Sequence, residues 1–154
     1  MAGSTGGSCC QYDRAVFSQR ERRDLRECLV ADARVDERIR AAAVVGSAAV
    51  HGEDEWSDID LAFRLAAGLK PADVGDAWTA RMYDDHGAID HLDVWSGSTL
   101  FRVFLLSSLM QVDLSFWPWE TFAASGASFR LLFGEANKPR SSSWPTPETL
   151  IGMG

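Results

Sequence analysis

The sequence predicts an α+β fold in which helices pack on a mixed β-sheet. Two segments carry apolar residues at helical spacing, and five short runs read as strands, two of them between the helices and three after the second helix. The chain has 154 residues, of which 46% are hydrophobic. This length supports one domain with a hydrophobic core and is too short for two domains of ordinary size.

The first helix begins at Ser18, which is a favourable N-cap because Glu21 follows three positions later and completes a capping box. Leu25, Cys28 and Leu29 then recur at spacings that form one apolar helical face. The pattern predicts an amphipathic helix of about four turns, with Cys28 packed against the core.

Two strands follow the first helix, and a second helix follows them. Ile39 to Val45 is a short apolar run typical of a buried strand, and Ile59 to Phe63 alternates apolar and polar residues. Pro71 at a first helical position and Gly87 at the far end bracket the second helix. The remaining strand-like runs are "HLDVWSG", "LFRVFLLSS" and "MQVDLSFW", with Ser107 and Ser108 at the turn between the last two.

The domain limits follow from composition. Residues 1–11 are rich in Gly and Ser and are expected to be disordered, residues 12–136 form the domain, and residues 137–154 read as a linker and the start of a further helix. A helix of about eight residues is not stable alone in water, so we expect the natural chain to continue into a C-terminal helical region.

Charge and hydropathy exclude two classes of partner. With 22 acidic and 15 basic residues the net charge is -7, which offers no basic field for tight nucleic-acid binding. The apolar run Val103 to Gln111 is too short to cross a bilayer, and the first ten residues lack the basic region and apolar core of a signal peptide, so we expect a cytoplasmic protein with no membrane partner. The three cysteines have neither disulfide nor zinc spacing.

The stretch "VVGSAAVHGEDEWSDIDLAF" contains the strongest chemical signal. On a strand, Ile59, Leu61 and Phe63 face the core, so Asp58 and Asp60 project together from the opposite face. Two carboxylates at one point repel each other unless a cation or a shared proton lies between them. Oxygen donors alone favour Mg²⁺ or Mn²⁺.

A Gly-Ser pair, Gly46-Ser47, stands where the preceding strand ends. Glycine lets backbone N–H groups approach an anion, and the serine hydroxyl adds another donor. A phosphate-binding turn beside a carboxylate pair predicts a nucleotide site, and Ser57 lies just before the pair at its entrance.

The combination of Gly46-Ser47 with the sequence Ser-Asp-Ile-Asp-Leu about ten residues later resembles the signature of the DNA polymerase beta-like nucleotidyltransferase superfamily. The resemblance is to its small bacterial branch, which includes aminoglycoside, lincosamide and minimal nucleotidyltransferases. It covers Ile39 to Trp117 and implies a nucleotidyltransferase-like fold.

The family has a third carboxylate on a later strand, and two residues compete for this role. Asp113 is favoured because Val112, Leu114 and Phe116 would face the core and leave it on the opposite face. Asp93 in "HLDVW" is the alternative.

The resemblance implies an enzyme that moves a nucleoside monophosphate from ATP or another nucleoside triphosphate to a hydroxyl of a small-molecule acceptor, such as an antibiotic, with release of pyrophosphate. Asp58 and Asp60 would hold Mg²⁺ or Mn²⁺. Asp113 would complete the metal site or act as general base, and Gly46, Ser47 and Ser57 would bind the nucleotide.

Two further hypotheses about the function remain open from the sequence alone. One is a minimal nucleotidyltransferase that acts as an antitoxin or as a noncatalytic regulatory module on a protein partner, and the other is a structural domain with a degenerate site. The sequence leaves open whether the chain forms a homo-oligomer.

Overall fold

The computed structural model describes residues 17–46, 58–124 and 128–138. These residues form two helices and one six-stranded sheet. In chain order, the elements are α1 (Gln19–Val35), β1 (Ile39–Val45), β2 (Ile59–Leu65), α2 (Pro71–Asp85), β3 (Ala88–Ser96), β4 (Thr99–Leu106), β5 (Gln111–Trp117) and β6 (Phe129–Phe133).

The sheet is mixed, with the strand order β3-β4-β5-β2-β1-β6. Only one of its five neighbouring pairs is parallel, and this pair, β2 with β5, lies at the centre. The predicted α+β fold with a mixed sheet and packed helices is confirmed, and it is consistent with a nucleotidyltransferase-like fold.

The helices cover one face of the sheet, and the main core lies beneath them. Alternation places Ile59, Leu61 and Phe63 of β2 in this core, beside Leu114 and Phe116 of β5. The Phe63 ring centre is 4.9 Å from that of Trp78 in α2. Each fully buried side chain of this size contributes about 1.5–3 kcal/mol relative to an exposed one.

The opposite face, here called the open face, carries a small cluster of buried apolar residues, Ala41, Ala43, Ala62 and Phe122. Because successive side chains of a strand alternate between faces, residues of β2 and β5 that are not in the main core point to this open face. The open face therefore holds the polar residues of the two central strands.

The first helix is capped as the sequence predicts. Ser18 has an extended backbone, and its hydroxyl accepts a hydrogen bond from the Glu21 N–H at 3.1 Å. Leu29 and Ala33 are fully buried against the sheet. The predicted packing of Cys28 is wrong, because this residue lies at the exposed border of the apolar face.

The second helix also begins where predicted, with Pro71 in its first turn. Its buried side chains include Val74, Trp78 and Met82, and the Trp78 indole N–H donates to Asp36 Oδ2 at 3.0 Å across the junction with α1. Neither described helix is long and apolar enough to cross a membrane.

Strand β6 was not predicted. It runs antiparallel to β1 at the sheet edge and has the sequence FRLLF, which lacks apolar alternation. Its residues are half-buried or exposed, so neither face of this edge strand requires apolar residues at every second position.

Candidate active site

Three predicted carboxylates lie together on the open face. Asp60 of β2 and Asp113 of β5 are direct neighbours in the parallel register, and their carboxyl groups are within hydrogen-bonding reach of each other. Asp58 precedes β2 by one residue and has the same parity as Asp60. Its charge and that of Asp113 interact. The core alternation of both strands produces this convergence.

Gly46 lies directly against the carboxylate of Asp60. It follows β1 with φ of +77°, and a Cβ added to it would be 3.0 Å from Asp60 Oδ2. Its N–H donates to the Ser128 carbonyl at 3.0 Å. Both the left-handed backbone and the close approach require glycine at this position. The end of β1 and the carboxylate group therefore form one continuous site.

The electrostatics of the site favour a bound proton or cation. Burial, a hydrogen bond with Asp113 and the charges of Asp113 and Asp58 together raise the pKa of Asp60 to about 7. Partial desolvation and the charge of Asp113 also raise the pKa of Asp58. The metal-free cluster therefore retains a proton at a higher pH than an isolated aspartate does.

We expect the metal-free protein to lose stability as the pH rises from about 4 to about 8. The pKa of Asp60 in the folded protein lies above its ordinary value, so the folded state holds this proton more tightly than the unfolded chain does. The resulting stabilisation is fully present below about pH 4 and is lost as the pH rises through about 7.

Asp60→Asn should therefore raise the free energy of unfolding at pH 8 by about 1–2 kcal/mol, a value reduced by solvent screening of the half-buried group. Urea unfolding in EDTA at pH 5 and pH 8 measures the effect. Asp84→Asn, on the exposed side of α2, is the matched control. An identical difference between the two pH values in wild type and Asp60→Asn would contradict the prediction.

Asp93, the alternative third carboxylate, lies elsewhere. It belongs to the outer strand β3, opposite Arg102 of β4. The Arg102 guanidinium donates to both Asp93 oxygens, at 2.7 Å from Nη2 to Oδ2, and to Asp76 at 2.9 Å. These bonds lower the pKa of Asp93, with its own burial opposing them. Asp93 therefore balances a buried arginine on the helix-covered face and does not join the carboxylate cluster.

The sequence did not single out Gln111, which contacts the site. Its side-chain amide donates to Asp113 Oδ1 at 3.1 Å. Gln111 is two residues before Asp113 on β5, so the two side chains share a face, and this parity was the only signal available. The amide orients the carboxylate without adding charge.

Ser47 and Ser57, predicted to bind nucleotide, lie outside the described residues, so their roles stay predictions.

Trp119, in the segment after β5, packs one ring face against the guanidinium of Arg64, whose central carbon is 3.7 Å from the ring centre.

Arg64 also connects the far end of the open face. It is buried on β2 and donates to the carbonyls of Trp119 and Glu135, at 3.0 and 2.8 Å, and to Asn137 Oδ1 at 2.7 Å. These acceptors lie in the segments that follow β5 and β6. The strand that carries Asp60 therefore holds both segments in place.

On the other side of Asp113, the open face is apolar. Asp113 pairs with Val103 of β4, which in turn pairs with Leu92 of β3. A cavity of about 250 Å³ is lined in part by these two apolar residues together with Leu105 and Gln111. The residue shared between the cavity wall and the carboxylate cluster is Gln111, which bonds to Asp113.

Comparison with known proteins identifies no family. No protein-family model matches the chain, and no curated protein matches it. Among solved structures, the chain is similar to the crystal structure of an aminoglycoside 6-adenyltransferase from Bacillus subtilis, with 18% sequence identity and a TM-score of 0.47. The match covers 68% of this chain and 36% of that chain, so this chain spans about a third of the enzyme's length. A likeness at this level does not carry that enzyme's activity to this chain.

Proposed function

We propose that this domain is a metal-dependent nucleotidyltransferase that moves a nucleoside monophosphate from ATP or another nucleoside triphosphate to an acceptor hydroxyl, with release of pyrophosphate. The observation that supports this most directly is the convergence of Asp58, Asp60 and Asp113 beside the left-handed Gly46. Phosphoryl chemistry depends on such positioned charges far more than on a covalent catalyst.

The donor set fits Mg²⁺ or Mn²⁺. All three groups are carboxylates, which these hard cations prefer, and two of them face each other closely enough to share a proton. Burial first, and then the contact with Asp113 and the charges of Asp113 and Asp58, raise the pKa of Asp60, and a divalent cation would favour its charged form. Bound there, the cation would neutralise charge on the triphosphate and on the attacking oxygen.

The residues of the chain divide the remaining tasks. Gly46 allows the end of β1 to approach Asp60 closely, so that the triphosphate would bind beside this turn, and Ser47 and Ser57 would supply hydrogen-bond donors to it. Asp113 accepts the proton of the acceptor hydroxyl, and Gln111 holds Asp113 in orientation. The acceptor oxygen forms a bond to the α-phosphorus as the bond from that phosphorus to the pyrophosphate oxygen breaks, and the proton passes to the carboxylate.

We propose that the acceptor binds over the side of Asp113 that carries Val103 and Leu92. The cavity that contains Val103, Leu92 and Leu105 ends at Gln111, next to the proposed base. An acceptor with an apolar body would cover these side chains and present its hydroxyl to Asp113. A small molecule fits this volume, which supports a small-molecule acceptor over a macromolecular one.

The full chain incubated with α-phosphate-labelled ATP, GTP, CTP or UTP, Mg²⁺ and a panel of small alcohols tests the proposal. We expect transfer of label to an acceptor with stoichiometric pyrophosphate, and Mg²⁺-dependent nucleotide binding measured by calorimetry. Asp58→Asn should abolish both, whereas Asp84→Asn, an exposed helix substitution, should change neither.

Failure to bind any nucleoside triphosphate in the presence of Mg²⁺ would overturn the proposal. Label recovered on a protein, with no small alcohol modified, would retain the chemistry and replace the acceptor. That result would favour the antitoxin-like alternative.

A further inference from the structure

A second group of metal-binding side chains lies on the helix-covered side of the molecule, opposite the carboxylate cluster. It consists of Cys28 and Asp32, one turn apart on α1, and His86, which caps the end of α2. One ligand atom from each residue lies within 4.8 Å of the others. The spacing of these residues in the sequence did not indicate this group, because they come from two helices that are far apart along the chain.

The backbone of this group is held firmly. Leu29 and Ala33, which are next to Cys28 and Asp32, are fully buried against the sheet. The His86 N–H donates to the Met82 carbonyl at 3.2 Å and closes the last turn of α2. The three side chains therefore project into the junction between two anchored helices.

One ring nitrogen of His86 lacks a partner. Its Nε2 atom is buried and makes no hydrogen bond with the described residues. A buried polar atom without a partner destabilises the folded state, and such atoms are rare in folded proteins. An imidazole nitrogen left in this way, with a thiol and a carboxylate beside it, is available to a metal ion.

The nearby charges balance a divalent cation. Arg81 stands close, with Nη1 at 3.6 Å from Asp32 Oδ2, and this partly exposed ion pair is weak. The Cys28 thiol also experiences the charge of Asp85. A thiolate and the two carboxylates offset both Arg81 and a divalent ion.

We propose that Cys28, Asp32 and His86 bind one Zn²⁺ ion at the junction of α1 and α2, at a site separate from the proposed nucleotide site. Zinc accepts this mixture of sulfur, oxygen and nitrogen, whereas Mg²⁺ does not take a thiolate. Bond lengths of about 2.0–2.3 Å place ligand atoms roughly 3.3–3.8 Å apart, so the side chains close by about an ångström. Water or Asp85 completes a tetrahedral shell.

Titration with Co²⁺ and Zn²⁺ tests this site without any activity assay. The reference protein is the full chain with Cys9→Ser and Cys10→Ser, which removes the other two thiols. We expect one equivalent of Co²⁺ to produce a thiolate-to-cobalt charge-transfer band that Zn²⁺ abolishes. Cys28→Ser in this background should remove the band, and His86→Ala should weaken metal binding by at least about tenfold.

A stability measurement guards against misfolded variants. Zn²⁺ should raise the thermal midpoint of the reference protein and leave that of the Cys28→Ser variant unchanged. Asp58→Asn, which removes a carboxylate of the nucleotide site, should retain the cobalt band in full. The absence of a band in the reference protein, or a band unaffected by His86→Ala, would overturn the zinc site and leave the nucleotidyltransferase proposal untouched.

Discussion

Asp60→Asn and Asp113→Asn should each lower the rate of nucleotidyl transfer by about a thousandfold or more. Both substitutions keep the side-chain volume and remove a negative charge that would hold the cation on the transferred phosphate. Asp60 contacts both neighbouring parts of the site: its carboxyl group is hydrogen-bonded to that of Asp113, and it lies against Gly46. Steady-state kinetics with the acceptor found in the panel measures the loss, which should fall on kcat.

The same Asp60→Asn variant should be more stable than wild type at pH 8, since it removes a charge that burial and the neighbouring Asp113 and Asp58 disfavour, which are the causes that raise the Asp60 pKa. Lower activity together with higher stability excludes unfolding as the cause. Asp93→Asn is the matched control for the third carboxylate. It weakens a contact with Arg102 on the other face and should leave the transfer rate within about threefold of wild type. A thousandfold loss in Asp93→Asn, with Asp113→Asn active, would reverse the assignment.

Arg64→Met should lower the free energy of unfolding by about 3–4 kcal/mol. The buried guanidinium donates to the Trp119 and Glu135 carbonyls and to Asn137 Oδ1, and the Asn137 amide also donates to the Trp119 carbonyl at 3.3 Å. Methionine fills much of the volume but removes the guanidinium donors from all three acceptors. Urea unfolding monitored by tryptophan fluorescence measures the loss.

Two further substitutions separate charge from hydrogen-bond geometry. Arg64→Lys keeps the charge but loses the planar set of donors, so we expect it to recover less than half of the stability lost in Arg64→Met. Arg40→Met replaces an exposed arginine on the neighbouring strand and should change stability by about 0.5 kcal/mol or less. Equal losses for Arg64→Met and Arg40→Met would contradict the role assigned to Arg64.

The alternation of apolar residues along each strand was sufficient to predict the orientation of Asp60 and Asp113. In both β2 and β5, apolar residues at every second position occupy the main core, and this forces Asp60 and Asp113 to the other face. The period of a strand is a local property, so it is legible in the sequence.

The pairing between strands could not be predicted from local sequence in the same way. Nothing in the sequence of β5 states that it lies parallel to β2, and the choice between Asp113 and Asp93 needed the resemblance as well as the pattern. Arg102 was also passed over, because its partners Asp93 and Asp76 come from another strand and a helix. The proximity of Cys28 to His86 was not predicted either, because it depends on how the two helices pack on the sheet.

The shared alternation of β2 has a consequence for how this protein tolerates insertions and deletions. Removing one residue between Ile59 and Leu65 would shift the frame of the strand, turning Asp60 toward the helices and sending apolar side chains into water. Such a deletion would disrupt both the hydrophobic core and the carboxylate cluster. Length changes in the turn from Ala66 to Lys70 would leave both intact. Natural variation in length is therefore expected to accumulate in turns and to be absent from this central strand.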